Sequence, residues 1–413
     1  MSRLLDAPPP AAPPAPAVAT GSTPVRSLRH RIVNTFEEIR PLRSQWDDLV
    51  LRSGGDIYST FDWCDVWWRH YGHQRSLQIH LFYRQTALIG VVPLFLDRLC
   101  LGPLQLHLLR IVGCDHSVTT CGLTVRPEDC TQVVTALVNW IEARFPEAVL
   151  HLGPFGGYVS TADSLDAAFA SWKHLRLTRD VRASQMVFDL PPSFDAYLAS
   201  LPKKKRADLR REEREFAAAG GTCEVIQRED EVAPALDDFI NLHQSYWQDE
   251  GRLGHFDDWS GSRAFHHELA RRQFECGRLM LIALRKDGEM VAGEYCYAFG
   301  SRVHWILTAR RRALSGRVGF CAMVREAVTR GAAQIDGMRG YYEYKKWLGA
   351  RVVNQQAVAI APRRAAVQMR YSLFCRAARA LDFMYYRLWF SRIVPRFRLN
   401  RAPLWNSWIR TRL

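Results

Sequence analysis

Apolar positions along the chain change period twice, and in the same order each time. In the first half, Glu37 to Leu51 and Ser59 to Tyr71 repeat apolar residues at helical spacing, and Leu77 to Tyr83 and Ala87 to Leu96 then read as strands around Gln85-Thr86. In the second half, Pro234 to Asp249 and Ser262 to Cys276 read as helices, followed by strands Leu279 to Arg285 and Met290 to Phe299. Lys286-Asp287-Gly288 joins those strands, and Asp-Gly favours a tight hairpin because both residues tolerate positive φ. The recurrence implies an internal duplication.

The halves then diverge in a telling way. The second continues through the strand Val303 to Thr308, the loop Ser315-Gly316-Arg317-Val318-Gly319-Phe320, a periodic helix from Cys321 to Arg330, and the strand Gln334 to Met338. Two glycines just before a helix allow backbone N–H groups to close on a phosphate. The first half passes through Ile111-Val112-Gly113-Cys114-Asp115-His116 to a helix, Thr131 to Phe145, and a strand, Ala148 to Leu152. Where the glycine loop would stand it has Arg126-Pro127-Glu128-Asp129, whose two carboxylates repel a phosphate. An α/β fold is expected, with mixed sheets flanked by helices and a carrier loop in the second copy only.

Around that loop, Arg312, Ser315, Gly316, Arg317, Val318, Gly319 and Phe320 are the candidate carrier-binding residues, with Arg310 and Arg311 adding positive charge. Downstream, Asp336-Gly337-Met338-Arg339-Gly340-Tyr341-Tyr342-Glu343-Tyr344-Lys345 carries a strand into a turn crowded with ionisable groups. Asp336, Glu343, Tyr344 and Lys345 there, and Glu294 among apolar strand neighbours that would raise its pKa, are the candidates for proton transfer. His304 alternates with apolar residues and reads as a satisfied sheet histidine; an Asp336–Lys345 pair is equally readable as a structural salt bridge. Trp247, Arg252, His255 and Phe256 form a polar aromatic connection suited to stacking on a sugar or capping a cleft. No metal site is expected.

The glycine loop, the helix and the D-x-x-x-G-x-x-x-Y-K run together resemble the second half of the GNAT-type acyltransferases of the CelD/BcsL group, related to the FemABX transferases. The resemblance is loose over residues 35 to 350 and good over 200 to 350. It implies tandem GNAT-like domains, acetyl-CoA or another acyl-CoA as co-substrate, and a saccharide or amine acceptor in exopolysaccharide or cellulose-related synthesis. A FemABX-like transferase using aminoacyl-tRNA and a non-catalytic assembly factor of a polysaccharide synthase are the rival readings. The family's loop opens with arginine or glutamine; here a looser arginine cluster and Ser315 stand instead. Lys203-Lys204-Lys205-Arg206 and the charged helix to Ala219 match the basic helix opening the family's second domain, near the cleft between copies.

The expected organisation is a Pro/Ala-rich leader (1–28), an N-terminal GNAT-like domain (29–190), a C-terminal transferase domain (191–361) and a basic aromatic tail (362–413). The leader offers too little apolar surface to offset ordering entropy, and neither a secretory core nor an eighteen-residue apolar run occurs. A cytoplasmic protein with ten reduced cysteines is expected, Cys321 reading as packing rather than nucleophile. Net charge is +14, but residues 362–413 hold twelve arginines and one aspartate, so the overall basicity is no ground for nucleic-acid binding by the catalytic body, and nucleic acid is not expected as a partner. A helical wheel over Arg364 to Phe390 puts Val367, Phe374, Ala377, Ala378, Leu381, Met384, Tyr385 and Leu388 on one side. That face either adsorbs to an anionic inner membrane leaflet, with Trp389, Phe390, Trp405 and Trp408 following, or packs on the second domain.

Overall fold

The computed structural model of the protein describes residues 28–113, 120–156, 165, 172, 174–251, 254–257 and 260–399. Cys114, Asp115, His116, Arg252, Trp405, Trp408 and the leader up to Ser27 lie outside the described residues.

The duplication predicted from the pattern is visible in the sheet. In the first half β1 (Leu28–Val33), β2 (Ser76–Arg84), β3 (Ala87–Leu101) and β4 (Leu104–Ile111) pair antiparallel, a short β5 (Thr124–Val125) joins β3, and β6 (Val149–Phe155) lies parallel to β4. In the second half β8 (Thr222–Val225), β9 (Leu279–Lys286), β10 (Glu289–Phe299) and β11 (Arg302–Arg310) pair antiparallel, and β12 (Gln334–Arg339) lies parallel to β11. The fold is therefore α/β, with two similar halves and a mixed sheet flanked by helices.

Two long strands cross between the halves. β7 (Leu175–Asp189) follows β6 in sequence yet pairs with β12, and β13 (Arg351–Pro362) follows β12 yet pairs with β6. β7 and β13 also pair with each other, from Arg351 opposite Val187 to Pro362 opposite Leu175. This exchange makes one sheet of thirteen strands among the described residues. Neither strand was legible as a repeat unit, because each finds its partners far away in sequence.

Local chemistry explains the turns. Asp287 (φ 53°) and Gly288 (φ 80°) both take the left-handed region, as the hairpin between β9 and β10 requires. The expected helix from Glu37 opens instead as a 3₁₀ turn, Glu37–Leu42, since Pro41 has no N–H to donate, and α1 (Arg43–Arg52) begins after it. α2 (Phe61–Tyr71), α3 (Cys130–Arg144), α4 (Phe194–Ser200), α5 (Lys203–Ala218), α6 (Glu229–Asp249), α7 (Ser262–Glu275) and α8 (Arg317–Thr329) flank the sheet. One apolar core runs through both halves: Trp63 of α2 meets Tyr297 of β10 at 5.6 Å and Phe265 of α7 at 6.3 Å between ring centres. Beside it Asp47 of α1 accepts from Arg278 at 2.6 Å. At the start of α3, where the second half has its glycine loop, Asp129 is buried against Arg84 at 2.6 Å.

After α9 (Glu343–Trp347) and β13, the tail forms α10 (Ala365–Met384), a π-helical stretch Tyr385–Ile393 and α11 (Val394–Phe397). The wheel's apolar side is largely used inside the protein. Val367, Phe374 and Ala378 are buried with Leu99, Leu106, Leu108 and Val149 of the first half and Ala359 and Ala361 of β13. The buried part of this face packs on the sheet, not on a membrane: the strand exchange sets it on the first half and on β13, the strand that the expected boundaries give to the second domain. Removing the tail after Ala361 is therefore expected to expose that apolar cluster and to cause aggregation. Phe374→Ala should cost about 3–5 kcal/mol in urea unfolding, and a variant as stable as the parent would show that the cluster does not depend on it.

Candidate functional site

β11 and β12 run together for only three residue pairs, Arg302–Gln334, Val303–Ile335 and His304–Asp336, and then part. Each is pulled aside by its other neighbour. β11 stays on β10, with a bulge between the Cys296–Trp305 and Tyr295–Leu307 pairs that leaves Ile306 extra. β12 stays on β7, where Arg339 pairs with Gln185 after a register shift that carries Met338 at φ 67°. A cleft of about 1520 Å³ opens between them. Trp305, Ile306, Leu307 and Thr308 line one wall, and Met338 and Arg339 the other. α9, the N-terminus of α8 and Lys205 of α5 close the sides.

The lining is strongly basic. Lys205, Arg310, Arg317, Arg339, Lys345 and Lys346 face Glu343 as the lone carboxylate among the lining residues. Such a surface attracts and holds a polyanion. Lys205 donates to the Trp347 carbonyl at 2.7 Å and lies over its ring, as does Arg317 at 4.3 Å from the ring centre. At the far end, His243, Tyr246, Trp247 and His255 give an aromatic wall. His243 donates from Nδ1 to the Thr308 carbonyl at 2.9 Å, so its Nε2 accepts, and His255 Nδ1 lies 2.9 Å from it.

The loop before α8 departs from the sequence expectation in three residues. The Phe320 amide donates to Gly316 O within the helix at 3.1 Å and its ring is buried against Phe188 and Trp305, so it does not face a ligand. Arg312 pairs with Glu250 at 3.1 Å and lines a smaller neighbouring pocket. Gly319 serves a different need from anion binding: a Cβ there would stand 2.5 Å from Glu294 Oε1. Ser315, Gly316 and Arg317 do line the cleft, and Val318 sits in the first helical turn with its amide beyond the reach of intrahelical bonding. Glu212 of α5 accepts from Ser315 Oγ and from Arg317 at 2.5 Å, tying the basic helix to the loop.

The proton-transfer candidates separate into two groups. Glu294 is buried beneath the β11 wall, accepting from Trp305 Nε1 at 2.7 Å and from Thr308 Oγ1 at 3.2 Å. Burial pushes its carboxyl up to about 8 despite those donors and the nearby Lys345 and Arg310. Burial likewise brings the Lys345 ammonium down to about 8, against the pull of Asp336 and Glu294. Lys345 donates to Gly337 O at 2.5 Å, lies 4.9 Å from the Trp305 ring centre and lines the cleft. Tyr344 is a half-exposed cleft wall, and Glu343 sits at the rim accepting from Tyr341 at 2.7 Å.

Asp336 lies elsewhere. Fully buried, it accepts from the Met338 amide at 2.8 Å and stands 3.6 Å from His304 Nδ1. Burial opposes its ionisation, but His304, Gln185 and the Met338 amide together outweigh burial and hold it below the ordinary carboxylate range. Asp56 of the first half adjoins the same cluster, bound to Arg302 at 2.9 Å and Thr120 at 3.0 Å. These residues join the halves behind the cleft and are absent from its lining. Cys321, whose thiol burial pushes up to about 12, has no nucleophilic character. Sequence reasoning passed over His243, Tyr246, Thr308 and Glu212; the signal for the first two was their spacing with Trp247 on one helix face.

Residues 203–346 match the family described as the acetyltransferase (GNAT) domain. That segment is a GNAT-type domain. No curated protein matches the chain by sequence. Among solved structures, FemX shares the fold, with a TM-score of 0.57 and 13% identity over 79% of this chain and 96% of its own. Weaker likenesses are the C-terminal domain of a putative lysylphosphatidylglycerol synthetase from Agrobacterium fabrum (TM-score 0.47, 12% identity, 82% and 96% covered) and a tandem GNAT protein from the clavulanic acid biosynthesis pathway (TM-score 0.42, 13%, 81% and 98%).

Because Asp336 belongs to a buried charge cluster, Asp336→Asn is expected to act first on stability. Breaking a buried pair costs about 3–5 kcal/mol, read as a lowered denaturant midpoint. An unchanged midpoint with lost turnover would return Asp336 to the catalytic group.

Proposed function

We propose that the protein is an acyl-CoA-dependent acyltransferase, with the acyl thioester held in the cleft between β11 and β12 and an amine or saccharide acceptor entering from the His243–Trp247 end. The observation that carries this reading is the cleft itself: a cation-lined opening between two parting strands, with Glu294 and Lys345 buried at its base. Phosphates of the carrier are bound by Lys205, Arg317 and the first-turn amides of α8. The unpaired edge of β11 beyond the bulge offers backbone groups to an extended amide-bearing arm. Acetyl is the acyl group assigned by default, and exopolysaccharide or cellulose-related synthesis of the CelD/BcsL kind the setting.

In the reaction, the acceptor nitrogen or oxygen attacks the thioester carbonyl, a C–N or C–O bond forms and the C–S bond breaks. The acceptor proton passes through the Thr308 hydroxyl to Glu294, and the thiolate leaves to take up a proton. Lys345 stabilises the developing oxyanion while it is charged. Glu294 accepts a proton only when ionised, so the rate climbs as pH rises towards about 8. Lys345 loses its charge as pH passes about 8, so the rate falls beyond it. A bell centred near that pH is expected, lost on its acid side in Glu294→Gln, which should lower kcat by ~10²–10⁴ with little change in carrier affinity. Thr308→Val should give the same pattern. Full activity in both variants would exclude this route.

A second reading, transfer from an aminoacyl-tRNA, is favoured by the FemX fold and by the exposed basic side of α5, where Lys203, Lys204, Arg210 and Arg214 face solvent. Calorimetry separates the two. Acetyl-CoA should bind, and Arg317→Ala with Lys205→Ala should weaken it at least ten-fold; consumption of charged tRNA without acyl-CoA binding would favour the second reading.

A further inference from the structure

We infer that the outward face of α10 and the turns after it is a docking surface for an anionic lipid bilayer. α10 is apolar on two opposite sides. While Val367, Phe374 and Ala378 face the sheet, Met369, Leu373 and Phe383 lie on the opposite side and are exposed, Met369 by 70% and Phe383 by 64%, and Met384 is exposed at the edge between the two. Tyr386, Leu388, Phe397 and Leu399 extend the exposed apolar surface along the tail. Eight of the fifteen exposed large hydrophobic residues described lie between 369 and 399, which is concentration rather than scatter.

Charge selects the occupant. Exposed Arg376, Arg379, Arg387, Arg392, Arg396 and Arg398 interleave with these residues, Arg387 lying 5.7 Å from the Phe383 ring centre and Arg396 5.7 Å from that of Phe397. Asp180 stands 3.7 Å from Arg379; among the described residues none of the other five has a carboxylate within ion-pair distance. A second copy of the same face would set arginine against arginine. An anionic leaflet supplies phosphates for the guanidinium groups and an acyl boundary for Met369 and Phe383. Among the described residues no helix is long and apolar enough to cross a membrane, so the contact is at the surface.

The surface adjoins the cleft. The π-helical turns carry Phe390 into the cleft lining, and Pro395 packs so closely on Gly251, at the end of α6, that a Cβ there would lie 2.7 Å from the Pro395 oxygen. Docking through α10 thus brings the His243–Trp247 end of the cleft towards the headgroups. The surface stands independently of the chemistry proposed above.

Full-length protein floated with vesicles is the test. Binding to vesicles containing phosphatidylglycerol, with little to pure phosphatidylcholine, is expected, and added salt should weaken it. Arg376→Gln with Arg387→Gln should reduce partitioning roughly 25-fold, at roughly five-fold for each basic residue. Met369→Ser with Phe383→Ser should also release the protein, and both variants should fold and bind acetyl-CoA in vesicle-free solution as the parent does. Equal flotation with neutral vesicles, no flotation at all, or parent-like flotation of both variants overturns the proposal. So does conversion of an oligomer to a monomer by the serine variant, which would mean that a second copy covers the face. Loss of acetyl-CoA binding in the parent with flotation intact would instead overturn the transfer reading alone.

Discussion

The antiparallel pairing of β7 with β13 is the constraint on which the rest of the molecule depends. Each strand leaves its own half, so neither half can complete its sheet without the other. The pairing also fixes where β12 goes. Held along β7, β12 cannot follow β11 past His304, while the bulge at Ile306 keeps β11 on β10. The cleft is the space left by two strands whose backbone bonds are committed elsewhere. Backbone groups must find partners somewhere, and here their distribution shapes a pocket rather than a closed sheet.

The same junction concentrates charge. Asp56 from one half meets Arg302, His304 and Asp336 from the other in a cluster that is buried but for part of the Arg302 side chain. Isolated, any one of these groups would be costly to bury; together they remain paired and lock the relative placement of the halves. A few residues away the balance is different. Glu294 has hydrogen-bond donors and Lys345 and Arg310 nearby, but burial outweighs them and pushes its carboxyl up to about 8. Two carboxylates of one sheet, Asp336 on β12 and Glu294 on β10 with β11 between them, are thus driven in opposite directions.

Helix α5 shows how one element serves packing and electrostatics together. Its Leu209 is buried, its Glu212 and Glu213 clamp Arg317 and Arg325 of α8, and its Lys205 reaches the cleft. The charged run is therefore neither a wholly solvated face nor a wholly functional one. Glu212 also places a carboxylate beside the loop, so a phosphate entering there competes with an internal anion for Ser315 and Arg317.

The sequence by itself determined the elements whose signals are local. The hairpin at Asp287-Gly288, the amphipathic helices and the order of each half follow from periodicity and turn chemistry, and parts of the loop and of the Asp336–Lys345 run line the cleft. It did not determine partners. Whether Asp336 or Glu294 is poised to accept a proton depends on which groups surround it. That is set by strand pairings between residues distant in sequence, such as Asp336 with Val187. Gly319 looked like a phosphate-loop glycine, and only packing reveals that the Glu294 carboxylate requires it. The tail's amphipathic wheel was equally legible, but a wheel shows only that a face is apolar. Tertiary structure decided that this face covers the first half's sheet, because the exchanged β13 ends there, and left a second apolar, arginine-studded face turned outward.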